Sequence, residues 1–454
     1  MSGAAVAPRP PLRIRPWLLA GARAVTAAIA GDYIYSLRQT EAGATAVPLD
    51  PAELHPGFGP ENYDEALVRA DQGVETMRNR VARHRDEWLH MEGLARALFG
   101  RYRLTAGAAD LAEADRVLDR ALAAAPWPAG PALSRAAVSL AKHDLVGAEG
   151  ALRRLDASAV PPPIEEKVEA QSIRCEIAFE RGRLVDAEKL CAAGNDLSLA
   201  LRGANIAAKT GHLTEAAGTI ETLLRTPRLP RSTLAMLALQ RASVALAAGD
   251  WQGSGRWARA AERVFPGYWL SQAYVAQQFA LEGNLTEARR RYAALAARTG
   301  DPDVLDALAW LTDSEGRPAE AREWAAKAGT AWQARQRLVP NAYASHYAEH
   351  LLLYGDRREA LALAEADYRR RPFATTIAHY AFALWRNEQP ERAVAVVRHG
   401  EAAGFLTADM KLTEALALSG LGRADEADAA LTEARRLNPR IDDPRAQFVA
   451  FQQD

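Results

Sequence analysis

Residues 345–350 read S-H-Y-A-E-H, so His346, Glu349 and His350 stand in the order H-x-x-E-H. On a helix, two histidines four apart share a face, and with the glutamate they match an inverted zinc-protease motif in which imidazoles hold the metal. A catalytic zinc also needs a third protein ligand at about 2.0–2.2 Å and an open position for water. Three fixed letters arise by chance, so the elements around them decide whether such a ligand can arrive. No phosphate-binding G-x-x-x-x-G-K-[ST] loop, G-x-S-x-G elbow or C-x-x-C pair occurs elsewhere in the chain, which leaves nucleophilic and phosphoryl-transfer chemistry without a motif.

The chain has 454 residues, 49% hydrophobic and 25% charged, a globular composition. Its 56 basic and 57 acidic residues sum to a net charge of −1 and are interleaved. No basic face of the kind that neutralises a nucleic-acid backbone is present, so nucleic acid is not an expected partner. Cys175 and Cys191 are the two cysteines, too few for a four-thiolate zinc site or a disulfide framework.

The N-terminus reads two ways. Arg9, Arg13 and Arg15 precede "WLLAGARAVTAAIA" (17–30), whose last three residues have the small-x-small form of an export cleavage site, with Gly31 as the mature N-terminus. Arg23 interrupts the apolar run, at a cost of about 2.5–3.5 kcal/mol on insertion scales, and the alternative is an amphipathic helix leading the first repeat. Export is the favoured reading, which places the protein in the periplasm or outside the cell ahead of the cytoplasm. The stretch is too short to span a bilayer, which takes about 20 apolar residues. Residues 1–39 therefore form an N-terminal segment. Residues 40–61, with four prolines and three glycines, read as a linker before a folded body over 62–454.

From residue 62 the chain consists of short amphipathic stretches rich in Ala, Leu, Glu and Arg, broken by Gly followed by a polar residue. "GRLVDAEKL", "GHLTEAAGTI", "GDWQGSGRWA", "GNLTEARRRY", "GRPAEAREWA", "GDRREALALA" and "GRADEADAAL" superimpose, with Gly182, Gly211, Gly249, Gly283, Gly316, Gly355 and Gly422 in register. Five residues after each glycine comes a small side chain. The full column is Ala114, Ala148, Ala187, Ala216, Ser254, Ala288, Ala321, Ala360, Ala393 and Ala427, spaced by about 35 residues on average. Twelve residues earlier stands a second small column: Ala136, Cys175, Ala204, Ala242, Ala276, Ala309, Ala348, Ala381 and Ala415. Helices that cross at about 8–10 Å accept only small residues at the contact, which explains both columns. Glycine ends each first helix because the left-handed cap carries no Cβ penalty, and Pro126, Pro266, Pro372 and Pro439 close four of the units. His143 and Glu388 replace the glycine, "LTAGAADL" reads as an insertion in the first repeat, and the second helix of the third is irregular near "AAGND".

This pattern resembles the tetratricopeptide repeat over about residues 86–440. "FPGYWL" and "SHYAEHLLLYGDRREALALAEADYRRRP" are also similar to stretches of large bacterial multi-repeat proteins, some of which carry export signals. The resemblance implies an all-α fold, a right-handed α-α superhelix of about ten helix-turn-helix repeats with a concave inner surface. It also implies a protein-interaction scaffold that is not an enzyme, uses no cofactor and grips a partner's peptide or helix. In such domains the residue after the small position of each first helix points into the groove. Here that column reads Glu176, Asn205, Ser243, Gln277, Trp310, Glu349, Phe382 and Leu416, with Trp385 and Arg386 bordering the same wall. Asn205, Gln277 and Glu349 suit a peptide backbone, and Trp310, Phe382, Trp385 and Arg386 are of the types that dominate binding energy.

In this register "SHYAEH" lies in the first helix of the eighth repeat. Glu426 lies two layers along the stack, about 20 Å away at roughly 10 Å per helix layer, outside ligand range. His379, one repeat on, is nearer. The expectation is therefore packed or solvated histidines and no metal; the alternative is an enzyme or enzyme subunit with a metal site around His346, Glu349 and His350. Cys175 and Cys191 fall at packing positions and read as buried small hydrophobes. "RRRP" (369–372) ends a helix, where cations complement the dipole, and reads as a solvated face.

Overall fold

The computed structural model describes residues 22–23, 49–55, 57–192 and 196–453, and they form an all-α repeat solenoid. Apart from Ala22–Arg23, which pair in parallel with Gln452–Gln453, the export reading of residues 1–30 and the segment 1–39 lie outside the described residues. Ten helix hairpins follow one another among those residues. The first five are Trp88–Thr105 with Ala108–Ala124, Ala132–Ala141 with Leu145–Asp156, Ile164–Glu180 with Leu184–Ala192, Leu197–Lys209 with Leu213–Leu224, and Arg231–Ala247 with Trp251–Val264. The second five are Trp269–Leu281 with Leu285–Thr299, Pro302–Ser314 with Pro318–Leu338, Ala344–Tyr354 with Arg357–Arg370, Ala374–Arg386 with Pro390–Ala402, and Ala408–Gly420 with Ala424–Leu437. A helix over Tyr63–Arg83 precedes them and packs on the first hairpin.

Local chemistry explains the hairpins. Both small columns are buried at every position, Ala114 to Ala427 in the second helices and Ala136 to Ala415 in the first. Six of the seven register glycines take positive φ, from +72° to +87°, while Gly355 is extended at φ −132°. His143 and Glu388 adopt the same left-handed turn at φ +56° and +60° despite their Cβ atoms. The polar residue after the turn starts the next helix: Asp144, Asp250 and Asn284 each accept a backbone N–H three residues on. "LTAGAADL" forms no inserted loop, because its two ends belong to the flanking helices.

Two readings are corrected. Cys175 and Cys191 are buried, but they are joined in a disulfide between the two helices of the third hairpin. The second of these helices covers only 9 residues, and closing a loop of 16 residues stabilises by about 3 kcal/mol in the chain-entropy account. Of residues 40–61, read as linker, those described, 49–55 and 57–61, lie against repeats 4 and 5. Leu49 N–H donates to Glu221 at 3.1 Å, Arg263 donates to the Pro51 carbonyl at 2.6 Å, and Arg231 N–H donates to the Phe58 carbonyl at 3.0 Å.

The superhelix is wound tightly enough to touch itself. Trp269 Nε1, which opens repeat 6, donates to the carbonyl of Leu104 in the turn of repeat 1, at 3.2 Å. Leu406 N–H, between repeats 9 and 10, donates to Lys209 of repeat 4 at 2.9 Å, and Asn438 Nδ2, after repeat 10, donates to Leu246 of repeat 5 at 3.4 Å. The turn at Gly182 meets Pro372 so closely that a Cβ there would stand 2.8 Å from the Pro372 carbonyl oxygen.

A buried ionic cluster sits at this seam. Arg371 donates to Asp367 at 3.0 and 2.8 Å and reaches Glu180 Oε1 at 3.4 Å and His143 Nδ1 at 2.8 Å, both on the opposite turn. Phe179 packs edge-on against Phe373 and Phe405 beside it. The reading of "RRRP" as a solvated face is therefore corrected for Arg371, which is 4% exposed. Burial by itself raises the Asp367 and Glu180 carboxyls. The Arg371 charge and the hydrogen bonds around it outweigh that and hold both below the usual carboxylate range.

Depressed carboxyl values contribute stability that is present above the unfolded value, about 4, and is lost as pH falls below it. Urea midpoints of the wild type are thus expected to drop below about pH 4. Arg371→Met, which leaves two buried carboxylates without their cation, is expected to cost about 3–5 kcal/mol at pH 7 and to flatten the acid limb; an unchanged midpoint at pH 7 would exclude the cluster from the seam. Gly182→Ala should destabilise more than Gly283→Ala by about 1–3 kcal/mol. Both positions have positive φ, but only Gly182 faces a neighbouring backbone, since nothing lies within 4 Å of a Cβ at Gly283. Equal urea midpoints for the two variants would contradict the turn-to-turn packing.

Candidate functional site

In the column of residues after the small position of each first helix, Gln277 meets the chain's own returning tail, and Trp310 and Glu349 border the cavity beside it. After the last helix, residues 438–453 turn back through a short 3-10 turn at Pro444–Phe448 and run along repeats 5 to 7. Gln277 is the contact that orders this segment. Its Nε2 donates to the Phe451 carbonyl at 2.9 Å, and its Oε1 accepts from the N–H groups of Ala450 and Phe451 at 2.5 and 2.6 Å. The carboxamide, 1% exposed, therefore satisfies main-chain groups in both directions, as an edge strand would. Phe451, also 1% exposed, lies stacked on Tyr292 with centroids 5.9 Å apart and tilted against Tyr274 at 6.4 Å. Tyr274 is itself fixed, because its hydroxyl and Ser243 Oγ lie 2.6 Å apart.

Beside the tail a cavity of about 70 Å³ remains, bordered by Trp310, Trp332, His346, Glu349, His350 and Phe448. Here the H-x-x-E-H residues divide among three partners. His350 Nδ1 is 2.8 Å from Asp306, whose other oxygen accepts from Trp332 Nε1 at 2.7 Å. His346 stacks flat on Trp332 at 5.5 Å, and Glu349 pairs with His379 of the next repeat at 2.8 Å. Burial raises the Asp306 carboxyl, with the His350 hydrogen bond opposing it. Glu426 pairs with Arg398 and Arg423. The motif thus joins three repeats side by side, and among the described residues it is not a group with metal-ligand geometry. The group that has it is one the sequence reading missed: His84 and Glu87, exposed after the leading helix, and the half-buried His90 in the first turn of repeat 1, with ligand atoms within 4.8 Å of one another. Its H-x-x-E-x-x-H spacing was a legible signal.

The other expected groove residues separate. Asn205 is buried, its Nδ2 without a hydrogen-bond partner, at the edge of a 90 Å³ cavity between repeats 4, 5 and 10. Trp310 borders the tail. Phe382, expected to face a partner, is 1% exposed and packs against Trp385, so it belongs to the core. Arg386 donates to the Leu352 carbonyl at 3.4 Å and thereby bridges repeats 8 and 9. Glu176 pairs with Arg202 of the next repeat, which also donates to Ser172 at 2.6 Å. A separate cavity of about 1130 Å³ opens between the first helices of repeats 1 and 3. The helix between them, Ala132–Ala141, is short, with 10 residues against 17 in Ile164–Glu180. Glu169 lines this opening and is pushed up to about 7 by burial, with Arg96 and Arg103 opposing.

No protein-family model matches this chain, and no curated protein does. Solved structures do. A tetratricopeptide repeat protein from Parabacteroides merdae matches at 15% identity over 56% of this chain and 99% of its own, with a TM-score of 0.32. Yeast Tom70 matches at 15% identity over 83% of this chain and 88% of its own, TM-score 0.33, and the Cut9–Hcn1 structure at 12% over 86% and 94%, TM-score 0.33.

His350→Ala is expected to leave Asp306 short of a partner and cost about 1–3 kcal/mol, read as a lower urea midpoint, while EDTA leaves the wild-type midpoint unchanged. Stoichiometric zinc in the purified protein, lost in this variant, would return the motif to metal chemistry.

Proposed function

We propose that this tetratricopeptide-type solenoid is a non-enzymatic protein-interaction scaffold whose inner face takes an extended peptide segment of a partner protein. The observation that carries the reading is the Gln277 carboxamide, which binds the main chain of residues 450–451 in both directions. A main-chain contact of this kind is indifferent to ligand sequence, so affinity comes from the backbone and selectivity from the pockets beside it. Those pockets are aromatic: Tyr274 and Tyr292 on one side, Trp310 on the other. The catalytic alternative has less support, since His346, Glu349 and His350 each face a different partner. Among the described residues no helix is long and apolar enough to cross a membrane. The Cys175–Cys191 bond favours an oxidising compartment, in agreement with the export reading of residues 1–30.

The test is selection of peptides from a random display library against the full chain. Enriched peptides are expected to bind at one per chain and to raise hydrogen-exchange protection on the first helices of repeats 6 to 8. Failure to enrich any peptide, or protection confined to other surfaces, would overturn the reading.

A further inference from the structure

The tail that lies in the proposed peptide site belongs to the chain itself, and this bears on both the ligand and its control. Residues 446–453 read A-Q-F-V-A-F-Q-Q and carry no charge, although 25% of the chain is charged. They begin after the repeats have ended: the last helix stops at Leu437 and Asn438–Pro439 already closes the seam against repeat 5. Stacking of repeat 10 therefore does not depend on the tail. The tail nevertheless buries two aromatic side chains three residues apart, Phe448 beside Trp310 and Phe451 between Tyr274 and Tyr292. It also takes all three hydrogen bonds that Gln277 makes. These are the features of a bound peptide: a 3-10 turn that carries Phe448 and leads into a non-helical stretch from Val449 onward, two aromatic anchors, and a carboxamide clamp between the walls. The tail does not line every wall of its site, because a partly open cavity of about 70 Å³ adjoins Phe448, Val449 and Ala450. Such an occupant forgoes contacts that a better-fitting one gains, so it can be displaced.

We propose that residues 446–453 are a built-in competitor for the peptide site, and that the partner segment is an uncharged peptide with two aromatic residues three apart, the first on a turn and the second on the non-helical stretch after it. Resting on the peptide-groove reading, this adds the ligand class and its regulation. Because the tail is tethered to the body, it competes at a high effective concentration, of millimolar order for short tethers. A partner in trans then gains access only when it fits better than the tail or when the tail is drawn away.

The probe is a synthetic peptide of residues 445–454, titrated into the full chain and into the full chain carrying Phe448→Ser and Phe451→Ser. The substituted chain is expected to bind the peptide at least tenfold more tightly than the wild type. A peptide carrying the same two serines is expected not to bind. Equal affinity for the two chains would overturn the competitor while leaving a peptide groove in place. No binding to the substituted, folded chain would overturn the ligand class, and the display selection would still judge the groove on its own. Should the substituted chain fail to fold, hydrogen exchange on the wild type decides. Saturating peptide should accelerate exchange at Ala450 and Phe451 of the chain, and unchanged exchange there would overturn the proposal.

Discussion

Arg371 fastens one turn of the superhelix to the next, and the rest of the architecture depends on that closure. A guanidinium buried with two carboxylates is costly to desolvate, and it is stable only when the charges are paired; here both carboxylates meet Arg371, although Glu180 Oε2 is left without a hydrogen-bond partner. Here the partners come from both turns: Asp367 from its own helix, Glu180 and His143 from repeats 3 and 2. The cluster therefore exists only when repeats 2 and 3 face the end of repeat 8. Its phenylalanine flank and the backbone bonds at Leu406 and Asn438 hold the same alignment on later repeats.

An open solenoid is close to one-dimensional, with each repeat touching only its neighbours. Closure changes that. Gly182, Gly211 and Gly249 belong to ordinary hairpin turns, yet the turn at each meets residues some 190 positions away in the chain. Stability in this chain combines nearest-neighbour terms with long-range ones, and the hairpin turns, exposed in a loosely wound coil, become part of the core.

Closure also decides what the inner face can be. In a wide coil the residues after each small position would point into water. In this tight one, six of the eight are buried, and three are bonded across to the next repeat: Glu176 to Arg202, Ser243 to Tyr274, and the half-buried Glu349 to His379. The H-x-x-E-H residues share this fate, their polarity used to join repeats sideways. What remains of a groove lies along repeats 5 to 7, where the tail runs. A face lined by buried carboxamide, hydroxyl and indole groups must be satisfied by some chain, and the nearest one is the protein's own.

The helix hairpins were legible in the sequence because their causes are local. Paired small residues twelve apart, a left-handed turn five residues before the second, and a capping polar side chain specify a hairpin without reference to the rest of the chain. His143 and Glu388 follow the same register because tertiary packing enforces the turn despite a Cβ. Gln277 was legible as a backbone-binding group for a similar reason: a carboxamide on a helix face lined with Ala and Leu has little reason to be there unless it bonds something. What it bonds was not legible, and neither were the burial of Phe382, the role of Arg371 or the Cys175–Cys191 bond. The pitch of the superhelix follows from small rotations accumulated over ten hairpins, and no single stretch of residues encodes that sum. Sequence alone determined the repeating unit and the side chains it presents; only the closed tertiary structure decided which of them meet solvent, one another, or the returning tail.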